Sequence, residues 1–162
     1  MARSIHVAGL AICKVDTGTS NALEELGVTD NGVEIIDNGY FYDVHTDEDG
    51  GDEGPPTDVQ FLGQTCTIRM LLHKYDEATR VKIGSRQYGG TDGTVGTVGT
   101  LMIGGSKTFR LLIHSTTQPY NFPVTMFREP IEINKGTKFS KLLVIGTAYK
   151  NGSSVLRNAT TS

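Results

Sequence analysis

The chain has 162 residues, 37% of them hydrophobic, and a formal net charge of −3 at pH 7. That length supports one domain with a real core rather than two compact ones, and no window approaches the roughly 18 consecutive apolar residues of a membrane-spanning helix. The near-neutral charge hides an asymmetry: residues 1–65 hold thirteen acids and two bases (−11), whereas residues 66–162 hold five acids and thirteen bases (+8).

Twenty glycines, twenty threonines and no tryptophan favour short strands joined by many turns. The opening MARSIHVAGLAICKV has one early base and an apolar run broken by His6 and Lys14, without a small-residue cleavage site. It reads as no secretory signal, and so as a protein made and used in the cytosol or in something assembled there. From Ile5 to Val15 the pattern predicts one strand or two short ones. A turn cluster, Asp16 to Asn21, leads to Ala22–Leu26, which is too short for a stable helix and is equally readable as one helical turn or as extended chain. Asp30-Asn31-Gly32 and Asp37-Asn38-Gly39 are turn signals, each followed by a strand candidate, Val33–Ile36 and Tyr40–Val44.

Residues 46–57, TDEDGGDEGPPT, carry five acids, three glycines and two prolines in twelve positions. Such a segment cannot bury itself and repels itself, so a solvated loop is expected unless a cationic partner holds it. Asp58 to Lys74 is the clearest strand: Cys66, Ile68, Met70 and Leu72 share one face and Thr65, Thr67 and Arg69 the other, with Gly63 marking a bulge or bend. A helix is expected over Asp76–Ile83, with acids first, bases late, Ala78 and Val81 as its apolar positions and Gly84 as its stop.

Residues 89–100, GGTDGTVGTVGT, read as a second excursion, a hairpin tip or insertion. Leu101–Ile103 then leads into a strand at Thr108–His114, in which Phe109, Leu111 and Ile113 share a face. Phe122–Phe127 leads through Arg128-Glu129-Pro130 into Ile131–Ile133. Phe139–Tyr149 is apolar on both faces, which suits a central or covered strand. Eight or nine strands and one short helix predict an all-β fold, an antiparallel sandwich or barrel, as one domain over residues 1–162.

Chemistry-bearing patterns are sparse. Cys13 and Cys66 lack a CxxC or zinc-ligand spacing and read as buried thiols rather than a disulfide. The four histidines form no HxH or HExxH, Gly-x-Ser-x-Gly is absent, and GGSK at residues 104–107 lacks the rest of a phosphate loop. No enzyme and no cofactor are expected. Asp47, Asp49 and Asp52 would be the ligands of a nonstandard calcium site, but Gly51 occupies the third position of an EF-hand-like run. The bases of the second half are spread singly along strands, without a nucleic-acid recognition pattern.

The run ELGVTDNGVEI at residues 25–35, DEDGGDEGPPTDV at 47–59 and FLGQTCTIRMLL at 61–72 resembles tailed-bacteriophage virion proteins, tail-tube-like proteins among them. GSKTFRLLI at 105–113 and FPVTMFREPIEINKGTKFS at 122–140 are similar in kind. The resemblance implies a β-sandwich or barrel subunit with long loops or hairpins that clasp neighbours, assembled in a bacterial cytoplasm into a virion. It also implies hexameric rings of identical copies, contacts with other virion proteins and at most non-specific proximity to phage DNA, with no membrane partner.

A capsid decoration (cement) protein or a head-to-tail collar component is the alternative within that class, and a calcium-dependent binding module lies outside it. The charge asymmetry suits head-to-tail association, which joins two unlike surfaces. The expected interface or lumen residues are Asp47, Glu48, Asp49, Asp52 and Glu53 on the acidic side, and Arg128, Lys135, Lys138 and Lys141 on the basic side.

Overall fold

The computed structural model describes residues 11–16, 23–90, 94, 96–104, 107–115, 120–135, 140–150 and 158–159. In chain order these form β1 (Ala11–Asp16), β2 (Leu23–Val44), β3 (Asp58–Tyr75), α1 (Glu77–Arg86), β4 (Phe109–Ser115), β5 (Tyr120–Met126), β6 (Glu132–Lys135), β7 (Ser140–Ala148) and β8 (Asn158–Ala159). Two short 3-10 turns, Asp47–Asp49 and Gly51–Glu53, lie between β2 and β3. Strand pairing is antiparallel throughout, in the order β6-β7-β3-β2-β1-β4-β5-β8, and β5 also pairs with β7. That extra pairing, Thr125 opposite Ala148 and Met126 opposite Thr147, closes β7, β3, β2, β1, β4 and β5 into a barrel. Closure removes the open edges that a six-stranded sheet would otherwise present. The expected antiparallel all-β class with one short helix is the observed one.

The alternation seen in sequence becomes the barrel interior. Ala11, Cys13 and Val15 of β1, Cys66, Ile68, Met70 and Leu72 of β3, Phe109, Leu111 and Ile113 of β4, and Leu142, Val144 and Ala148 of β7 are all buried, each set at every second position. Phe109 and Phe127 pack with ring centroids 5.1 Å apart and planes tilted by 53°, a favoured aromatic geometry. β7 is central, as its two-sided apolarity predicted: β3 lies along one edge, while β6 and then β5 lie along the other. Neither Cys13 nor Cys66 is in a disulfide, and both are buried. Burial alone pushes the Cys13 thiol up from its ordinary 9.0 to about 12.

The helix forms where its charge order predicted, but with different limits and a different face. Asp76 is the N-cap: its carboxylate accepts from the Ala78 amide at 3.0 Å and from the Thr79 hydroxyl at 3.3 Å. Thr79 and Ile83 are buried, four residues apart, whereas Ala78 and Val81 are exposed. Gly84 does not stop the helix, which continues to Arg86. The chain turns instead at Gly89, whose φ of +82° is a conformation glycine adopts without strain.

Three local expectations are overturned. Neither Asp30-Asn31-Gly32 nor Asp37-Asn38-Gly39 reverses the chain, because β2 runs through both as one strand of 22 residues. At the first, Gly32 takes a φ of +83° and the register with β3 slips between Thr29 and Val33, so the turn-forming residues make a bulge. At the second, pairing with β3 is continuous, Asp37 opposite Cys66 through Gly39 opposite Gln64. Third, Leu101–Ile103 is turn and coil rather than strand. The segment Ala22–Leu26, left open in sequence, is extended from Leu23 onward. Residues 5–10 of the first expected strand, and Phe139 at the start of the last, lie outside the described residues.

Candidate functional site

The longest pairing in the molecule, β2 with β3, extends beyond the barrel. β3 meets β7 only from Cys66 to Leu72, and β2 meets β1 only from Leu23 to Val28. Asn38–Val44 and Asp58–Thr65 therefore pair with each other alone among the described strands. The eight residues on the β3 side at about 3.3 Å each give an arm of about 26 Å before the tip. The arm is bulged once, where Tyr40 stands opposite Gly63 and Phe41 opposite Phe61, leaving Leu62 as the extra residue. Gly63 has a φ of +140°, so the bulge expected there from sequence depends on a glycine.

The shaft of this arm is apolar and uncovered. Tyr40, Phe41, Tyr42, Val44, Val59, Phe61 and Leu62 are all exposed, with Phe41 at 61% and Phe61 at 59%. The two phenylalanines are cross-strand partners with ring centroids 5.7 Å apart. Because residues alternate between faces, Phe41 shares its face with Asp43, Phe61 and Val59, whereas Tyr40, Tyr42 and Val44 lie on the other. A long exposed edge of this composition invites pairing or packing with another chain, and two strands on their own are at best marginally stable in water.

The tip is the acidic segment. Its backbone is ordered by local bonds: the Thr57 amide donates to the Val44 carbonyl at 2.8 Å, and Gly51 to the Thr46 carbonyl at 3.0 Å. The Thr57 hydroxyl donates to the Asp49 carboxylate at 2.6 Å and lies 2.7 Å from the Thr46 hydroxyl. Gly50, with a φ of +94°, joins the two 3-10 turns, and a side chain on Gly54 would strike the Asp49 carbonyl. Asp47, Glu48, Asp49, Asp52 and Glu53 are thus held at the end of the arm, all exposed. From Asp37 to Thr65 the chain has eight acids and no lysine or arginine. Among the described residues no three His, Cys, Asp or Glu side chains gather as a metal site, so Asp47, Asp49 and Asp52 do not form the calcium cluster considered from sequence.

The basic candidates lie on the barrel. Arg128 is in the connection between β5 and β6; its Nη1 donates to the Tyr149 hydroxyl at 3.3 Å. That bond, with the phenolic oxygens of Tyr149 and Tyr40 and the carboxylate of Glu129 nearby, makes the guanidinium hold its proton more tightly than usual. Lys135 ends β6 and Lys141 is the second residue of β7, where Lys135 pairs with Ser140 and Asn134 with Lys141. Lys138 lies outside the described residues. The structure does not bring the acids of the tip and the bases of the barrel together within one chain; no ion pair between the two sets occurs among the described residues. Ion pairs among the described residues include Glu77–Arg80 within α1 and Glu24–Lys82 at 3.1 Å, which ties α1 to β2.

Sequence reasoning missed the aromatic shaft. The signal was available: YFYDV and VQFL place apolar groups on both faces of their strands without enough chain nearby to cover both. It also missed a second exposed apolar group, Tyr88, Val98, Leu101 and Ile103, within and on either side of the Gly/Thr-rich segment. The described part of that segment folds back on the end of α1, so closely that a side chain on Gly96 would strike the Tyr88 carbonyl.

The fold is shared with a solved structure. A chain from the virion of a native gene transfer agent particle superposes with a TM-score of 0.51 at 11% identity, covering 93% of this chain and 95% of the other. At that identity the likeness is one of fold. No family model matches the sequence, and no curated protein matches it. No helix among the described residues is long and apolar enough to cross a membrane.

Proposed function

We propose that this chain is a non-enzymatic structural subunit of a phage-like virion and, within it, a tail tube protein whose copies join into rings, six to a ring, stacked around a DNA-conducting channel. One observation carries the reading: an arm of about 26 Å that buries none of its aromatic side chains and ends in five acids. Such an arm adds nothing to the core of its own barrel and is suited to lie against a second chain. The fold shared along nearly the whole of both chains with a member of a gene transfer agent virion supports the same class. The basic barrel and acidic arm are two unlike surfaces, as a head-to-tail ring requires, and opposite potentials set the register of such contacts.

Electron microscopy of the purified protein in negative stain tests this. Tubes or stacked rings of uniform diameter are the expected result. Monomers or trimers that instead decorate expanded capsids would overturn the tube and leave a capsid decoration or collar protein, whose arm would grip a different virion protein.

A further inference from the structure

The receiving surface for the arm can be located, given the self-assembly proposed above. A cleft of about 350 Å³ lies between the end of α1, the turn before β4 and the end of β5, lined by Tyr88, Val98, Met102 and Met126 with Arg128 at its margin. Its lining is largely apolar, and Tyr88 and Val98 are exposed there, Val98 completely. A cleft of that size accepts an aromatic side chain, and two methionines adapt their shape and polarisable sulfur to a ring.

We infer that this cleft receives the arm of a second copy of the chain, with Phe41 and Phe61 against Met102, Met126 and Val98 and with Asp43 paired to Arg128. The occupant follows from what each partner lacks. Phe41 and Phe61 form one exposed face, and the acid next to them on it, toward the tip, is Asp43, two residues from Phe41 and opposite Val59. The cleft offers apolar surface and a guanidinium. The arm has no lysine or arginine to compete for a carboxylate, so the charge match runs in one direction only, arm to cleft. The arm does not fill its own chain's cleft, since both phenylalanines are exposed in the isolated subunit. Arg128 donates to the hydroxyl of Tyr149, which follows Ala148; Ala148 pairs with Cys66, and Cys66 with Asp37, at the root of the arm. The cleft of one copy thus sits beside the base of that copy's own arm, and an arm passed to the next copy's base is a repeat that can propagate into rings or filaments.

The test uses the full chain. Sedimentation velocity of wild type, D43K, R128E and the double variant D43K/R128E measures assembly, with circular dichroism to confirm that each is folded. Each single reversal is expected to raise the concentration needed for assembly about tenfold or more, and the double reversal to restore most of it. In parallel, F41C and V98C proteins are mixed and treated with a short bismaleimide; Cys13 and Cys66, both at 0% exposure, do not compete. A cross-linked dimer that forms in the mixture and not with either protein alone is expected. Wild type that stays monomeric at every concentration would overturn both this inference and the proposed function. Wild type that assembles, with no 41–98 cross-link or no rescue by the double reversal, would overturn the cleft alone and assign it a different occupant.

Discussion

The sharpest prediction concerns the double substitution Phe41→Ala and Phe61→Ala. A phenylalanine side chain presents roughly 150–250 Å²; with 61% and 59% of each ring's residue exposed, about 90–150 Å² per ring is left to be covered. At about 25 cal/mol per Å², full coverage by a neighbour would contribute about 2–4 kcal/mol per ring. Ordering and desolvation at the interface consume part of this. A net loss of about 2 kcal/mol per ring corresponds to roughly 30-fold in affinity. The fold should be spared, because the rings contribute to the isolated subunit only a cross-strand pair, about 0.2–1 kcal/mol. The assay is paired: thermal unfolding of the dilute subunit, and sedimentation or light scattering across concentration for assembly. A small change in melting with assembly shifted by about 30-fold for each ring covered, and so by up to about three orders of magnitude, is the expected outcome. Unchanged assembly would refute the arm as an interface, and global unfolding would refute the claim that the arm lies outside the core.

Replacing Asp47, Glu48, Asp49, Asp52 and Glu53 with Asn or Gln should leave the barrel folded and either impair assembly or flatten its dependence on salt; identical assembly at low and high salt in both proteins would count against a role for the tip. Ile68→Asp should abolish folding, since Ile68 is fully buried in the barrel and an unpaired carboxylate there has no partner; a cooperative melt near that of wild type would contradict the core assignment. The raised Cys13 thiol gives a pH signature: the unfolded chain ionises it above about pH 9 while the folded chain does not until about 12. Stability contributed below pH 9 should therefore fall as pH rises toward 12, and chemical denaturation of Cys13→Ala across that range should show a shallower decline.

Much of the barrel was legible because a strand with one buried face writes that face into every second residue. Spacing puts Cys66, Ile68, Met70 and Leu72 on one face, and likewise Phe109, Leu111 and Ile113, and the structure buries them all. The same local logic failed at Asp30-Asn31-Gly32 and Asp37-Asn38-Gly39. A tight turn and a bulge draw on the same residues, and what separates them is whether the next strand returns to the last one or both continue beside a third. Here β3, 18 residues long, offers β2 an uninterrupted partner, so pairing overrides turn propensity. The helix face went astray for a related reason: a helix of ten residues whose face is mostly polar is oriented by what it packs on, and Thr79 and Ile83 meet the barrel while Val81 does not.

Sequence by itself determined the charge asymmetry, the inward face of each long strand, the acidic segment and the absence of a recognisable catalytic pattern, because composition and period are properties of neighbours along the chain. Only the tertiary structure decided that the acids cap an arm, that the arm's aromatic rings are uncovered, and that a cleft with Arg128 at its margin stands at the arm's root. Those facts depend on where β1 and β7 stop pairing with β2 and β3, and the length of a partner strand elsewhere in the chain leaves no mark on the residues it fails to reach. The acidic first half and basic second half are visible in the sequence; only the structure sets eight of those thirteen acids on an arm and at its root, apart from the bases on the barrel, so that a meeting of the two would be a contact between subunits.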